Sequence, residues 1–112
     1  MSIHLNSVKK QNAVLVAISG RMDALAATDF ETACAPWIEK GEKQFVVDMT
    51  GLDYISSMGL RSLLSLAKKL QNSGGRLALC GLGGAVLEVF KIAGLLTVLT
   101  VVDSPEAAFG SE

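Results

Sequence analysis

The sequence contains very few of the residues from which metal sites and disulfide frameworks are built. Its 112 residues include one histidine and two cysteines. Cys34 and Cys80 lie far apart and form no CxxC pair, so the usual spacing of zinc ligands is missing. We therefore expect no metal and no cofactor. Because a disulfide framework is also excluded, we expect a reducing, cytoplasmic compartment.

An excess of charge of one sign and a long apolar run are also missing. Lys and Arg number 10, Asp and Glu 11, and the net charge is -1. A nucleic-acid-binding domain usually has a marked basic excess, so we expect no nucleic acid as a partner. Residues 93–102 are the most apolar stretch, whereas a membrane-spanning helix needs about 20 residues. The short run 13–18 that follows Lys9 and Lys10 predicts a strand rather than a signal peptide, and we expect no membrane contact.

The chain is nevertheless apolar enough to bury a core. Hydrophobic residues make up 50% of the sequence and charged residues 19%, which is typical of a folded domain rather than a disordered one. The length predicts one domain over residues 1–112. β-branched residues in 14–18 predict a strand, residues 3–9 predict a weaker one, and Gln11 with Asn12 predicts the turn of an N-terminal hairpin.

The first helix is predicted from one apolar stripe, which comprises Phe30, Ala33, Cys34, Trp37 and Ile38. Thr28 followed by Glu31 resembles a capping box, and Gly41 is the expected stop. Pro36 conflicts with this pattern because it removes a backbone donor, and we expect it to kink or divide the helix.

Strands and helices then alternate. Strands are predicted at 44–48, 76–80 and 97–102, helices at 58–72 and about 86–93, and a last helix from Ser104 and Pro105. The inward stripe of the helix at 58–72 is predicted to comprise Leu60, Leu63, Leu64, Ala67 and Leu70. Alternation of this kind implies parallel strands joined by right-handed crossovers. The sequence therefore predicts an α/β fold with a mixed sheet, an N-terminal hairpin and about four helices.

Residues suited to catalysis are sparse. His4 lies in the first strand without a supporting motif, and we expect it to be a surface residue rather than a general base. Asp48 and Asp53 flank the loop after a strand, where α/β proteins place their sites. A pair of carboxylates can serve acid–base chemistry, but an end-of-strand Asp and a turn Asp explain them equally simply.

A glycine-rich turn at 81–86 (GLGGAV) partly matches a dinucleotide-binding fingerprint. It follows a predicted strand, opens a predicted helix and precedes Asp103 by about 20 residues. However, Val86 takes the place of the third glycine, which close packing of helix and strand requires. We therefore expect a glycine turn rather than a nucleotide site.

The most informative stretch places Ser56 and Ser57 directly before the helix at 58–72. Either hydroxyl is suited to cap the free N–H groups of the first turn. The same helix start favours an anion, so a phosphate on Ser57 is accommodated without disturbing the fold. Arg61 lies one turn along the helix, where it reaches the same patch. Gly59 carries no side chain and is expected to leave the approach open.

One face of this helix is predicted to be available to a partner. Met58, Arg61, Ser62 and Ser65 point away from the leucine stripe. Methionine and arginine are enriched at binding surfaces, although an ordinary solvated helix face explains the pattern too. Residues 54–102 are also basic, since they contain five Lys or Arg and only Glu88 as an acid.

Three segments, in this order and spacing, resemble the STAS domain family, and in particular the small stand-alone anti-sigma factor antagonists of bacteria. The first is GRMD at 20–23, followed by Ala27 and Phe30. The second is DMTGLDYISSMGL at 48–60. The third is GGRLALC at 74–80 together with VFKIAGL at 89–95. The resemblance covers nearly the whole chain, from about Val14 to Phe109.

The resemblance implies a phosphorylation-controlled binding switch rather than an enzyme. In stand-alone members a serine kinase, which is also the anti-sigma factor, phosphorylates a serine that corresponds to Ser57. The free form binds this kinase, the phosphorylated form does not, and a serine phosphatase restores the free form. Some members have Asp directly before the acceptor; here that residue is Ser56, which is the alternative acceptor. Asp23 matches a family aspartate beside the site, so it is either part of the docking surface or an Asx-type turn residue.

Two other functions remain open at this stage. Some STAS members are scaffold subunits of stress-signalling complexes or accessory subunits of lipid-transport ATPases, and Ser57 is compatible with both. A small nucleotide-binding enzyme is the alternative from a different class. For the switch, the expected partner-binding residues are Asp23, Ser56, Met58, Gly59, Arg61, Ser62 and Ser65. The expected state is a monomer or a weak dimer.

Overall fold

Five strands form one sheet in which sequence order is also spatial order. The computed structural model describes residues 3–109, so both ends of the domain predicted over 1–112 lie outside the described residues. The strands are β1 (Ile3–Lys10), β2 (Ala13–Met22), β3 (Gln44–Ile55), β4 (Arg76–Cys80) and β5 (Thr100–Val102). The helices are α1 (Ala24–Glu39), α2 (Ser57–Asn72), α3 (Gly84–Ile92) and α4 (Pro105–Phe109).

The sheet is mixed because it begins with a hairpin. β1 pairs with β2 antiparallel, and β2 to β5 are parallel throughout. Antiparallel neighbours need only the tight turn at Gln11 and Asn12, whereas each parallel neighbour needs a helical crossover. The predicted fold class, an α/β domain with a mixed sheet, an N-terminal hairpin and four helices, is confirmed.

The two faces of the sheet bury cores of different size. Alternate residues of β2, among them Val14, Val16 and Ile18, point into the large core, which α1, α2 and α3 cover. The opposite face carries a small cluster under α4, composed of Ala13, Val46, Ala78, Cys80 and Ala108. The helices that carry the predicted site therefore all lie on the face with the large core.

The start of α1 differs from the prediction. The helix begins at Ala24 and is capped by Asp23, whose Oδ1 accepts a hydrogen bond of 2.9 Å from the amide of Ala26. The expected capping box at Thr28 and Glu31 is wrong because it lies inside the helix. The first turn of α1 is rich in alanine, and Leu25, its one large apolar side chain, faces solvent, so the turn adds no apolar stripe to the periodic pattern.

Pro36 does not divide α1, which runs unbroken to Glu39. The carbonyl of Pro36 still accepts from the amide of Lys40, so only the bond that its own nitrogen cannot donate is lost. Three strands also differ in their bounds from the prediction. β2 continues to Met22 and β3 to Ile55 because these segments pair with each other through two register shifts, and β5 is limited to Thr100–Val102.

α2 packs on the sheet through a stripe that is close to the predicted one. Leu63 and Leu70 are buried as expected, and Leu66, which the prediction omitted, is buried as well. Leu60, Leu64 and Ala67 are only half-buried against this core. The stripe is therefore turned slightly toward Leu66.

Replacement of Leu63 by alanine should lower the free energy of unfolding by about 2–5 kcal/mol, because the side chain is completely buried and leaves a cavity. Leu64→Ala is the matched control on the same helix and should cost about 1–2 kcal/mol, since that side chain is only partly buried. Urea denaturation of both variants measures the difference. Equal losses would contradict the orientation of α2.

The two cysteines are free and lie in different cores. Cys34 is buried in the large core and Cys80 in the small cluster on the opposite face of the sheet, so the sheet separates them. Burial raises the pKa of Cys34 to about 12, and the nearby carboxylate of Glu31 adds to this effect. Burial, assisted by the carboxylate of Asp48, raises the pKa of Cys80 to about 11. Both side chains are therefore neutral thiols at physiological pH.

Both thiols should resist alkylation at pH 8 in the native protein and react as free cysteines in denaturant. Because both pKa values are higher in the folded protein than the ordinary 9.0, ionisation favours the unfolded chain once the pH exceeds about 9. Stability should therefore be unaffected by the thiols below pH 9 and should fall as the pH rises from there toward 12. Iodoacetamide labelling followed by mass spectrometry, and denaturation at several pH values, measure both effects. Rapid native labelling of either thiol would contradict the packing.

Candidate functional site

The backbone carbonyl of Met22 joins the ends of β2 and β3 at the carboxyl edge of the sheet. It accepts a bond of 2.9 Å from the amide of Ser56 and a second of 3.0 Å from the hydroxyl of the same residue. Met22 is the last residue of β2, and Ser56 lies between β3 and α2. α/β proteins generally place their sites at this edge of the sheet. Here the two hydrogen bonds from Ser56 to Met22 hold the start of α2 against the end of β2.

Ser56 and Ser57 have different environments. The Ser56 hydroxyl donates to Met22 and accepts a bond of 3.1 Å from the amide of Gly59, so it is the N-cap of α2 and is half-buried. Ser57 is the first residue of the helix and is exposed. Among residues 3–109, no partner hydrogen-bonds the Ser57 hydroxyl. One serine therefore holds the helix start in place, and the next presents its hydroxyl to solvent.

Asp23 has the same place on α1 that Ser56 has on α2. It follows the end of β2, is half-buried and caps the helix. Since β2 and β3 are adjacent parallel strands, the two capped helix starts lie side by side at the same edge. The cap explains the position of Asp23, and its role in docking stays a prediction.

Gly59 and Ser62 are buried, so two expectations about the outward face of α2 are wrong. A Cβ on Gly59 would lie 2.8 Å from the Ile55 side chain and 3.1 Å from the Met22 carbonyl, which means that glycine permits close packing here and does not open an approach. Ser62 is 3% exposed, and its hydroxyl donates a bond of 2.8 Å to Glu31 on α1. Helical periodicity predicted that Ser62 faces solvent, because the pattern within α2 contains no information about a hydrogen-bond partner on another helix.

The remaining predicted surface residues are exposed as expected. Met58 is 44% exposed, and Arg61 and Ser65 also face solvent. All three lie on the side of α2 that does not pack on the sheet. Together with Ser57 they form a surface that starts at the helix cap.

The prediction missed three other residues at this edge. Leu25, at the start of α1, is 70% exposed. Tyr54 is exposed near the end of β3, and the guanidinium of Arg21 stacks 4.2 Å from the centre of its ring. The signal for the stack is the parallel register that pairs Arg21 with Tyr54, which cannot be read from the sequence before the strands are aligned.

Of the candidates for catalysis, His4 and Asp48 line the same open cavity of about 220 Å³ beside β1, β2 and β3. His4 is exposed on the edge strand β1. Asp48 accepts bonds from the amide and the hydroxyl of Thr50, and Asp53 is exposed. A Cβ on Gly81 would lie 2.3 Å from the Thr50 hydroxyl, so the first glycine of the turn at 81–84 permits close packing against β3.

Within residues 3–109, no group of three or more His, Cys, Asp or Glu side chains is arranged to hold a metal ion. No helix in the described part of the chain is long and apolar enough to cross a membrane.

Gly59→Ala should lower the free energy of unfolding by about 1–2 kcal/mol, because overpacking against Ile55 and Met22 exceeds the gain in helix propensity. Gly83→Ala is the matched control, since Gly83 precedes α3 in an extended conformation with no neighbour within 4 Å of the added methyl group. It adds no overpacking and should cost only the difference between glycine and alanine as an N-cap, on the order of 0.5 kcal/mol. Thermal denaturation compares the two. A stabilised Gly59→Ala variant would contradict the close approach of α2 to Met22.

Comparisons with known proteins agree on one family. A STAS domain family model matches residues 4–108. The Bordetella bronchiseptica protein BtrV, which carries the name of an anti-sigma factor antagonist, is 41% identical over 103 residues, or 91% of this chain and 89% of BtrV.

Two solved structures share the fold at lower identity. An anti-sigma factor antagonist from Mycobacterium paratuberculosis has a TM-score of 0.87 at 21% identity, with 98% of this chain and 93% of that chain covered. The Bacillus protein SpoIIAA in its phosphorylated form has a TM-score of 0.74 at 19% identity, with 98% and 99% covered. From the family match over almost all of the described residues and the identity with BtrV, we conclude that the chain belongs to the STAS domain family.

Proposed function

We propose that the chain is an anti-sigma factor antagonist that is switched by phosphorylation of Ser57. The free form binds an anti-sigma factor that is also a serine kinase, and the form phosphorylated on Ser57 releases it. A serine phosphatase restores the free form. The observation that carries this proposal is the division between two adjacent serines: Ser56 uses its hydroxyl to cap α2, and Ser57 presents its hydroxyl to solvent.

The position of Ser57 suits a reversible phosphate. The first turn of a helix carries unpaired N–H groups and the positive end of the helix dipole, both of which favour an anion. Arg61 lies one turn further along α2 and is exposed, so its guanidinium is available to the same patch. Because the exposed Ser57 hydroxyl makes no hydrogen bond within the described residues, a phosphate there changes the charge of the surface and leaves the packing of α2 intact.

The surface around Ser57 has the composition of a protein-binding site. Met58 and Leu25 are large apolar side chains exposed at the starts of two neighbouring helices, and exposed apolar groups gathered in one place mark interaction sites. Arg61, which is exposed on α2, is of a residue type that often dominates binding energy. Asp23 and Ser65 also belong to this surface. Gly59 and Ser62 are buried and contribute to it only by holding α2 in place.

The relatives support the same function. BtrV is named as an antagonist of an anti-sigma factor, and SpoIIAA has been solved in a phosphorylated form. The proposal requires no catalysis by the chain itself, so neither the pair Asp48 and Asp53 nor the turn at 81–84 has a chemical role in it. Its partners are the anti-sigma kinase and the phosphatase.

Incubation with the purified anti-sigma serine kinase and ATP should add one phosphate to the wild-type protein and none to Ser57→Ala. Ser65→Ala is the matched control, because it removes another exposed hydroxyl from the same helix and should leave phosphorylation unchanged. Intact-mass and peptide mass spectrometry measure both. Ser57→Asp should bind the kinase more weakly than wild type in a titration, since its charge imitates part of the phosphate.

Two outcomes would contradict this proposal. Undiminished phosphorylation of Ser57→Ala, combined with its loss in Ser56→Ala that is still folded, would assign the acceptor to Ser56. Failure of the kinase both to bind and to phosphorylate the wild-type protein would refute the switch itself.

A further inference from the structure

Met58 is the one methionine within residues 3–109 whose side chain is exposed. Its exposed fraction is 44%, whereas those of Met22 and Met49 are 0% and 1%. Met1 lies outside the described residues. Met58 belongs to neither core, so its thioether is not needed for the packing of the domain. A reagent that attacks methionine in the folded domain therefore reaches Met58 before the two buried methionines.

The two thiols of the chain do not compete for such a reagent. Cys34 and Cys80 are buried in the two cores, and burial raises the pKa of both, so neither presents a thiolate at physiological pH. Peroxides oxidise accessible thiolates and accessible thioethers. A thioether has no proton to lose, so its reactivity depends on exposure and not on a pKa. Among the residues that the structure describes, the reactive sulfur is therefore that of Met58.

The position of Met58 places it inside any interface that is formed at Ser57. The two residues open α2, and both are exposed. Their Cα atoms are about 3.8 Å apart, as in any trans peptide. A protein–protein interface of standard size buries about 800 Å² on each partner, which corresponds to a radius of roughly 16 Å. A kinase that receives the Ser57 hydroxyl in its active site therefore covers Met58, whatever the composition of the kinase surface.

Oxidation by hydrogen peroxide changes Met58 from an apolar side chain to a polar one. The O–O bond breaks and an S–O bond forms, so that one oxygen stays on sulfur and the other leaves as water with both hydrogens. The sulfur loses two electrons, which reduce the peroxide. The thioether gains free energy when a partner removes it from water, whereas the sulfoxide must give up its hydrogen bonds to water. The same burial that favours docking of the thioether therefore opposes docking of the sulfoxide.

We propose, on the basis of the function proposed above, that Met58 is a peroxide-sensitive modification site whose oxidation to the sulfoxide weakens binding of the anti-sigma kinase. The modification acts on the same surface as a phosphate on Ser57, but it requires no kinase activity and adds no charge. It leaves the fold intact, because Met58 lies outside both cores and the hydroxyl of Ser56 still caps α2. Methionine sulfoxide reductases make it reversible.

Mild treatment of the purified full chain with hydrogen peroxide tests where the oxidation occurs. The sulfoxide should form at Met58 at least about ten times faster than at Met22 or Met49, because the buried residues react only when the domain opens. Tandem mass spectrometry of the peptides assigns each added oxygen to its residue and separates any oxidation of Met1. The circular dichroism spectrum should be the same before and after treatment.

A titration with the untreated, purified kinase tests the effect on binding. After the peroxide has been removed, the oxidised wild type should bind with an affinity lower by a factor on the order of 5–30. Incubation with two methionine sulfoxide reductases, one for each epimer, should restore the initial affinity. The matched control is Met58→Leu, which keeps an apolar side chain of similar size without sulfur. This variant is compared with itself, and peroxide should not change its affinity.

Four outcomes would overturn the proposal. Equal oxidation rates at Met58 and at the two buried methionines would contradict the selectivity. An oxidised wild type with unchanged affinity would refute the effect on docking and leave the switch at Ser57 intact. An equal loss of affinity in peroxide-treated Met58→Leu would assign the effect to another residue. An untreated wild type that neither binds the kinase nor is phosphorylated by it would refute both proposals.

Discussion

The double hydrogen bond from Ser56 to the carbonyl of Met22 is the constraint on which the candidate site depends. It ties the end of β2 to the start of α2, while the hydroxyl of the same serine orders the first turn of the helix. Gly59 is the steric counterpart, since only the absence of a Cβ lets α2 approach that carbonyl so closely. The backbone at Ser57 is therefore held by the hydrogen bonds of Ser56 and by the close packing of Gly59. The exposed hydroxyl of Ser57 consequently has a fixed position.

The fixed backbone at the start of α2 restricts the kind of switch that this site can perform. In the proposed switch, a phosphate on Ser57 meets a helix start that is already ordered, so the proposal implies an electrostatic change rather than a conformational one. The charged side chains of α2 are all basic and those of α1 all acidic, and none of them forms an ion pair within the described residues. The half-buried hydrogen bond that Ser62 donates to Glu31 joins these two helices.

The features that repeat along the chain were predictable, and the features that join distant segments were not. Alternation in the strands and the leucine stripe of α2 follow from local periodicity. Ser56 and Ser57 stood out because they directly precede a predicted helix, and the choice of Ser57 as the acceptor came from the family resemblance. The cap at Asp23 escaped because the alanine-rich first turn of α1 gives little periodic signal. The inward turn of Ser62 and the stacking of Arg21 on Tyr54 depend on how helices pack and strands align, which no local pattern contains.

The contact between α1 and the hairpin includes the one tryptophan of the chain. The indole N–H of Trp37 donates a bond of 3.0 Å to the hydroxyl of Ser7 on β1, and the ammonium group of Lys40 lies 4.9 Å from the centre of its ring. Intrinsic fluorescence excited at the indole therefore reports on this single contact, with no second tryptophan to dilute it. Since the hairpin lies far from the starts of α1 and α2, the emission distinguishes loosening of the scaffold from events at Ser57 without any added dye.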